Sequence, residues 1–231
     1  MLIKIVESAV TILKGRPYKI DKGIGFNGLL DIFLTRIFSL LRFFLKFGFR
    51  ISFLGKRVKI INKSNLLIGQ GVTIEDNVTI NAISIKKMVI SDNVTICKDT
   101  IIQGTGVITE IGEGLVIGKG SAIGAMSFVG CQGGVNIGEN VIMGPRVNIH
   151  SENHNFEDIN IPIKDQGVSR KGININNNCW VGAGVIFLDG VTIGEGCVIA
   201  AGSVVNKSFP KNSIIAGVPA RILKTRTEKF E

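Results

Sequence analysis

The stretch "INNNCWVGAGVIFLDGVTIGEGCVIAAGSVV", residues 175–205, decides the fold. Its apolar residues Ile175, Val181, Phe187, Ile193, Ile199 and Val205 return every six positions. An amphipathic helix brings an apolar residue back every three or four positions, and a half-buried strand every two. A period of six fits neither. It fits short strands joined by tight corners, three to a coil, with one apolar side chain per strand turned inward. Glycine or another small residue is expected at the corners, where a larger side chain would obstruct the turn.

The rhythm extends toward the N-terminus. It runs through Ile117, Ile123, Val129 and Val135, slips by two residues, and resumes at Ile137, Met143 and Ile149. Earlier runs are Ile68, Ile74, Ile80 and Ile90, Ile96, Ile102. From Ile149 to Ile175 the interval is 175 − 149 = 26 residues, which is not a multiple of six. A loop therefore leaves the coil here. It carries "NIHSENHNFEDINIPIKDQG", residues 148–167, and with it both histidines of the chain, His150 and His154.

Tandem hexads that close on "IGEGCVIAAGSVVNKSFPKNSIIAGVPARILK", residues 193–224, resemble the hexapeptide-repeat acyltransferases. The resemblance spans roughly residues 66–225 and is specific. It implies an all-β fold, a left-handed parallel β-helix over residues 66–216, with a protruding loop at 150–173. The handedness comes from the resemblance, since the general rule for parallel crossovers favours the right-handed form. A short helix is expected in the tail, residues 217–231, and an amphipathic helix in the N-terminal segment, residues 1–65. The resemblance further implies a homotrimer that uses acetyl-CoA as co-substrate and needs no metal.

Within that family "NHNFEDINIPIKDQG" followed by "CWVGAGV" is similar to sugar and polysaccharide O-acetyltransferases, and His154 matches the general base. The chemistry is coherent. A sugar hydroxyl is a poor nucleophile until a base takes its proton, and imidazole, with an ordinary pKa of about 6.5, does this near neutrality. The oxygen attacks the thioester, and a backbone N–H at a corner such as Gly182–Ala183 steadies the oxyanion. Glu152 is the candidate to orient the imidazole, with Glu157 and Asp158 as competitors. His150 follows the inward Ile149, so a structural role at the corner is expected of it.

For the cofactor the resemblance points to Ala183 at the thioester end and Ala201 beside the pantetheine arm. Asn206 and Lys207 stand where relatives often carry Thr-Lys, so Asn206 departs from the pattern. Arg221 and Lys224 match basic positions that face nucleotide phosphates; the alternative is an ordinary solvated C-terminal helix. Trp180, the one tryptophan, either lines the acceptor pocket or packs between subunits.

Composition bounds the remaining readings. Apolar residues make up 45% of 231, which argues for a packed core. The four cysteines are widely spaced, with no CxxC, and read as buried small residues of a reducing compartment. No signal-peptide pattern opens the chain, so a cytoplasmic location is expected, with a peripheral place on the inner face of a membrane. A zinc hydratase built on three histidines is excluded by a count of two.

Charge divides the chain. Residues 1–60 hold twelve Lys or Arg and three acids, 12 − 3 = +9, the whole net charge. Eight of the thirteen phenylalanines lie between Phe26 and Phe53. In residues 29–54 the basic positions gather on one arc of a helical wheel, and the rest is Leu, Ile and Phe. Charges interrupt every apolar run before about 18 residues accumulate, so a transmembrane span is not expected. The segment reads as a helix on an anionic membrane surface, as a cap on the open end of the β-helix, or as a trimer contact. Basic residues interleaved with phenylalanine, and no groove-reading motif, argue against nucleic acid as partner. The resulting expectation is an O-acetyltransferase of a glycan or lipid-linked saccharide. N-acetylation of an amino sugar nucleotide and a non-catalytic trimeric scaffold are the alternatives.

Overall fold

The computed structural model describes residues 7, 8, 11, 17–21 and 23–226. Its body is a three-sided prism of parallel strands. The first face stacks Phe53–Leu54, Thr73–Ile74, Thr95–Ile96, Ala122–Ile123, Ile142–Met143, Trp180–Val181 and Val198–Ile199. The second runs from Lys59–Ile61 through Asn148–His150 to Val204–Val205, and the third from Leu66–Ile68 to Thr192–Ile193. Every hexad residue named above is buried, from Ile68 to Val205. The parallel ladder begins at Phe53, ahead of residue 66.

The two-residue slip has a simple cause. Third-face strands turn two residues inward instead of one, as in Leu115 and Ile117 or Val135 and Ile137, with an exposed residue between them. Corners are turned by asparagine as well as by glycine. Asn77, Asn93, Asn140, Asn178 and Asn212 hold φ between 55 and 61°, the left-handed region that asparagine tolerates better than most residues. Their amides also link coils: Arg57 donates to Asn77 at 2.6 Å, and Asn77 to Asp99 at 2.8 Å.

The C-terminal end corrects one expectation. Among the described residues no short helix follows the last coil. Ser213–Gly217 continues the first face in parallel, and Ala220–Thr225 folds back on it as an antiparallel strand. Pro219 and Gly217, at φ 102°, favour a turn over a helix here, and the hairpin covers a sheet edge that would otherwise stay unpaired. Residues 227–231 lie outside the described ones.

The N-terminal helix, α1, spans Phe26–Phe47 and ends at Gly48. It lies against the first coil, with Phe43 fully buried in the core. A β-helix starts with a coil whose backbone carbonyls have no preceding coil to bind. Basic side chains answer this. Arg42 donates to Leu54 O at 2.8 Å, Lys46 to Val58 O at 3.3 Å, and Arg50, just beyond α1, to Ile68 O at 2.6 Å. The basic arc is thus turned onto the prism as a cap. Among the described residues no helix is long and apolar enough to cross a membrane.

Candidate active site

The loop that interrupts the hexads leaves after the second-face strand Asn148–His150 and returns at the third-face strand Ile173–Ile175. Both feet are tied to the prism. Ser151 is fully buried; its hydroxyl donates to Gly130 O at 2.8 Å and accepts the Gly133 N–H at 3.0 Å. Asp189, one coil on, accepts the Lys171 N–H at 2.9 Å and the Gly172 N–H at 2.8 Å. Between the feet, Asn153–His154 pairs antiparallel with Val168–Ser169, placing His154 opposite Val168. Gln166 closes the hairpin by donating to Asp158 O and Ile161 O, both at 2.7 Å.

His154 is exposed on this tethered hairpin. His150 is also exposed and packs its ring against Phe128 at 5.5 Å, a contact that suits a structural residue. Glu152 has a different partner from the one expected. Its carboxylate accepts the Arg170 Nε–H at 2.6 Å, and no hydrogen bond joins it to His154 among the described residues. Arg170 goes on to donate to Glu110 O at 3.3 Å and Ile111 O at 3.4 Å. It therefore ties the histidine loop to a second excursion, residues 104–114, and sequence reading missed it. The second excursion was open to the same count, since 117 − 102 = 15 is not a multiple of six. Replacing Arg170 by Met is expected to cost about 1.5–3 kcal/mol, the usual worth of hydrogen bonds to a charged group. Faster proteolytic cleavage within residues 151–172 should accompany that loss. An unchanged cleavage rate would show that Arg170 does not hold the loop.

Ala183 and Ala201 come together. They stack on successive coils at the corner between the first and second faces, joined by the Gly202 N–H to Ala183 O bond of 2.8 Å. A Cβ on Gly182 would stand 2.5 Å from Ala201 N, so the two coils approach too closely there for a side chain. Both alanines are exposed, and the Ala183 N–H donates to no acceptor among the described residues. Asn206 and Lys207 lie elsewhere, at the corner after the second face, with the Lys207 ammonium 5.8 Å from the Phe209 ring centre. Arg221 and Lys224 stand on the returning strand of the hairpin, opposite Ala216 and Ile214. Trp180 is exposed on the first face, between Ile142 and Val198.

The site residues thus divide between corners of one protomer. The histidine loop, Asn206 and Lys207 belong to the corner between second and third faces. Ala183 and Ala201 belong to the corner between first and second. The cysteines take no part in either group. All four are free thiols; burial pushes the Cys131 thiol up, and a hydrogen bond with Cys197 together with burial does the same for Cys179. Among the described residues no cluster of His, Cys, Asp or Glu has the makings of a metal site.

Residues 172–207, the coils that follow the loop, match the family model described as bacterial transferase hexapeptide (six repeats). Over those residues the chain is similar to the hexapeptide repeats of that family. Its fold is the left-handed parallel β-helix of such repeats. Over 91 residues the chain is 38% identical to the galactoside O-acetyltransferase of Escherichia coli K12, covering 39% of the chain and 43% of that protein. It is also 38% identical over 87 residues to the galactoside O-acetyltransferase of Lactococcus lactis, covering 37% of the chain and 41% of that protein. The chain spans between about a third and a half of the length of the curated relatives it matches. A single-residue mutant of AntD, an N-acyltransferase from Bacillus cereus solved with dTDP and coenzyme A, superposes with a TM-score of 0.50 at 22% identity. The superposition covers 79% of this chain and 87% of that one, a likeness of fold.

Proposed function

We propose that this chain is an acetyl-CoA-dependent O-acetyltransferase acting on a hydroxyl of a glycan or lipid-linked saccharide, and that it works as a homotrimer. The observation that carries the reading is the doubly tethered loop presenting His154 together with a tight, exposed Ala183–Ala201 column on a different corner of the prism. The galactoside O-acetyltransferases it resembles support a sugar hydroxyl as acceptor.

Acetyl-CoA supplies the acetyl group as a thioester. His154 accepts the proton of the acceptor hydroxyl as that oxygen adds to the carbonyl, and later returns it to the departing thiolate. The Ala183 N–H stabilises the negative charge on the carbonyl oxygen. Ala183 and Ala201, with side chains no larger than a methyl, let the pantetheine arm lie against the backbone. Because His154 and this column occupy different corners, a site using both takes them from neighbouring copies. The exposed apolar loop tip, Phe156, Ile159, Ile161 and Ile163, gives the loop a surface to lay on that neighbour. We place the enzyme in the cytoplasm, at the inner face of a membrane bearing such acceptors.

The decisive experiment incubates the purified chain with acetyl-CoA and a panel of acceptors and follows thiol release. Turnover with hydroxyl acceptors supports the reading. Turnover with amino sugar nucleotides alone moves it to N-acetylation, and no binding of acetyl-CoA reduces the chain to a scaffold. Lys207→Ala and Arg221→Ala should each raise the KM for acetyl-CoA about tenfold, by removing a cation from a phosphate. The KM for the acceptor should hold. Unchanged acetyl-CoA KM in both variants would place the phosphates elsewhere.

A further inference from the structure

A surface helix of a globular protein ordinarily turns its apolar stripe to the core and its charges to water. α1 does the reverse over most of its length. At about 100° per residue, Arg42, Lys46, Ser39 and Phe43 share the side against the prism, where the two cations bind edge carbonyls. The opposite side carries Leu30, Phe33, Leu34, Ile37, Leu41 and Phe44, all exposed. From Phe26 to Phe38 no residue is buried, and Arg36 reaches the prism on the polar side, at the Thr73 hydroxyl (3.3 Å) and over the Phe53 ring (4.9 Å). Capping the carbonyl edge requires donors, so the helix turns its polar arc to the protein and its apolar arc has no covering element among the described residues.

We propose that this apolar side docks on an anionic lipid bilayer, α1 lying in the headgroup layer. The helix is amphipathic without being able to span, which is the behaviour of an interfacial helix. Charge complementarity selects lipid over a second copy. The first coil adds exposed Lys56, Arg57 and Lys59 beside α1, and residues 1–60 carry 12 − 3 = +9 against a neutral remainder. Two such ends brought face to face repel, whereas an anionic surface attracts them. In the proposed trimer, whose parallel prisms share one direction, three α1 helices reach the same plane. The inference does not rest on acetyl transfer.

The test measures co-sedimentation of the full chain with vesicles of phosphatidylcholine alone and of phosphatidylcholine with phosphatidylglycerol, at low and high salt. The wild type should bind the anionic vesicles and keep a salt-resistant fraction, since salt screens only the ionic part. Ile37→Ser, Leu41→Ser and Phe44→Ser together should weaken binding to both vesicles by roughly tenfold or more, because they remove the apolar burial. Their assembly state and unfolding midpoint should match the wild type, since none of the three is buried. Phe43 and Phe47 are left intact because they pack on the core. Lys56→Glu with Lys59→Glu should weaken binding to the anionic vesicles only. The proposal fails if the wild type ignores both vesicles, or if the triple variant binds as well as the wild type. It also fails if the wild type sediments as an assembly larger than a trimer that the triple variant dissolves, which would make the face a contact between copies.

Discussion

His154→Ala is expected to lower kcat for acetyl transfer by about 10²–10⁴, the usual contribution of a positioned general base. The loss should fall on kcat with the KM for acetyl-CoA held, because the residues proposed for the cofactor lie on other elements. The imidazole is exposed on the loop hairpin and makes no hydrogen bond among the described residues, so its removal leaves the core intact. Unfolding midpoint and sedimentation should match the wild type. His150→Ala is the internal control. Its ring packs on Phe128 at 5.5 Å, and its removal should disturb local packing with a far smaller change in kcat. Steady-state kinetics on both variants decide the matter. Near wild-type turnover in His154→Ala would remove it as the base, and an equal loss in both would point to the loop's shape instead.

Phe187→Ala is expected to destabilise the prism by about 3–5 kcal/mol, the cost of deleting a fully buried aromatic side chain and leaving a cavity. Phe187 is fully buried on the second face, in register between Ile149 below and Val205 above. Its coil begins at the Ala183 corner, so the coils proposed to hold the cofactor should loosen first. In a stacked repeat each coil rests chiefly on its neighbours, and a defect is felt locally before it is felt globally. Phe187→Leu keeps most of the volume and should cost less than Phe187→Ala. Urea unfolding of both variants measures the difference. A loss under about 1 kcal/mol for the alanine variant would mean that the neighbouring coils collapse onto the gap.

The loop region shows where periodicity stops being informative. A count of hexads locates the excursion after Ile149, because a break in a regular pattern is visible in one dimension. The partner of Glu152 is not visible in that way. Arg170 lies 170 − 152 = 18 residues on, and it also binds the carbonyls of Glu110 and Ile111, in a second excursion far back in the chain. The expectation that Glu152 serves His154 came from proximity in the chain, and the observed ion pair came from stacking.

The sequence by itself determined the body of the fold, because burial there is periodic and local. Each inward residue from Ile68 to Val205 answers to its own position in a strand, and all are buried as the six-residue count requires. The count also determined where the histidine loop begins and ends. Only the tertiary structure decided the polarity of α1. A wheel shows a basic arc and an apolar arc, but which one faces the protein depends on the unpaired carbonyls of Leu54, Val58 and Ile68, which exist only once the first coil has formed. It decided the tail in the same way: the open edge at Val198–Ile199 recruits Ser213–Gly217 and then Ala220–Thr225 as strands, where local reading expected a helix. And it separated His154 from Ala183 onto different corners, since the direction in which a coil carries each residue is set by the stacking of the whole prism.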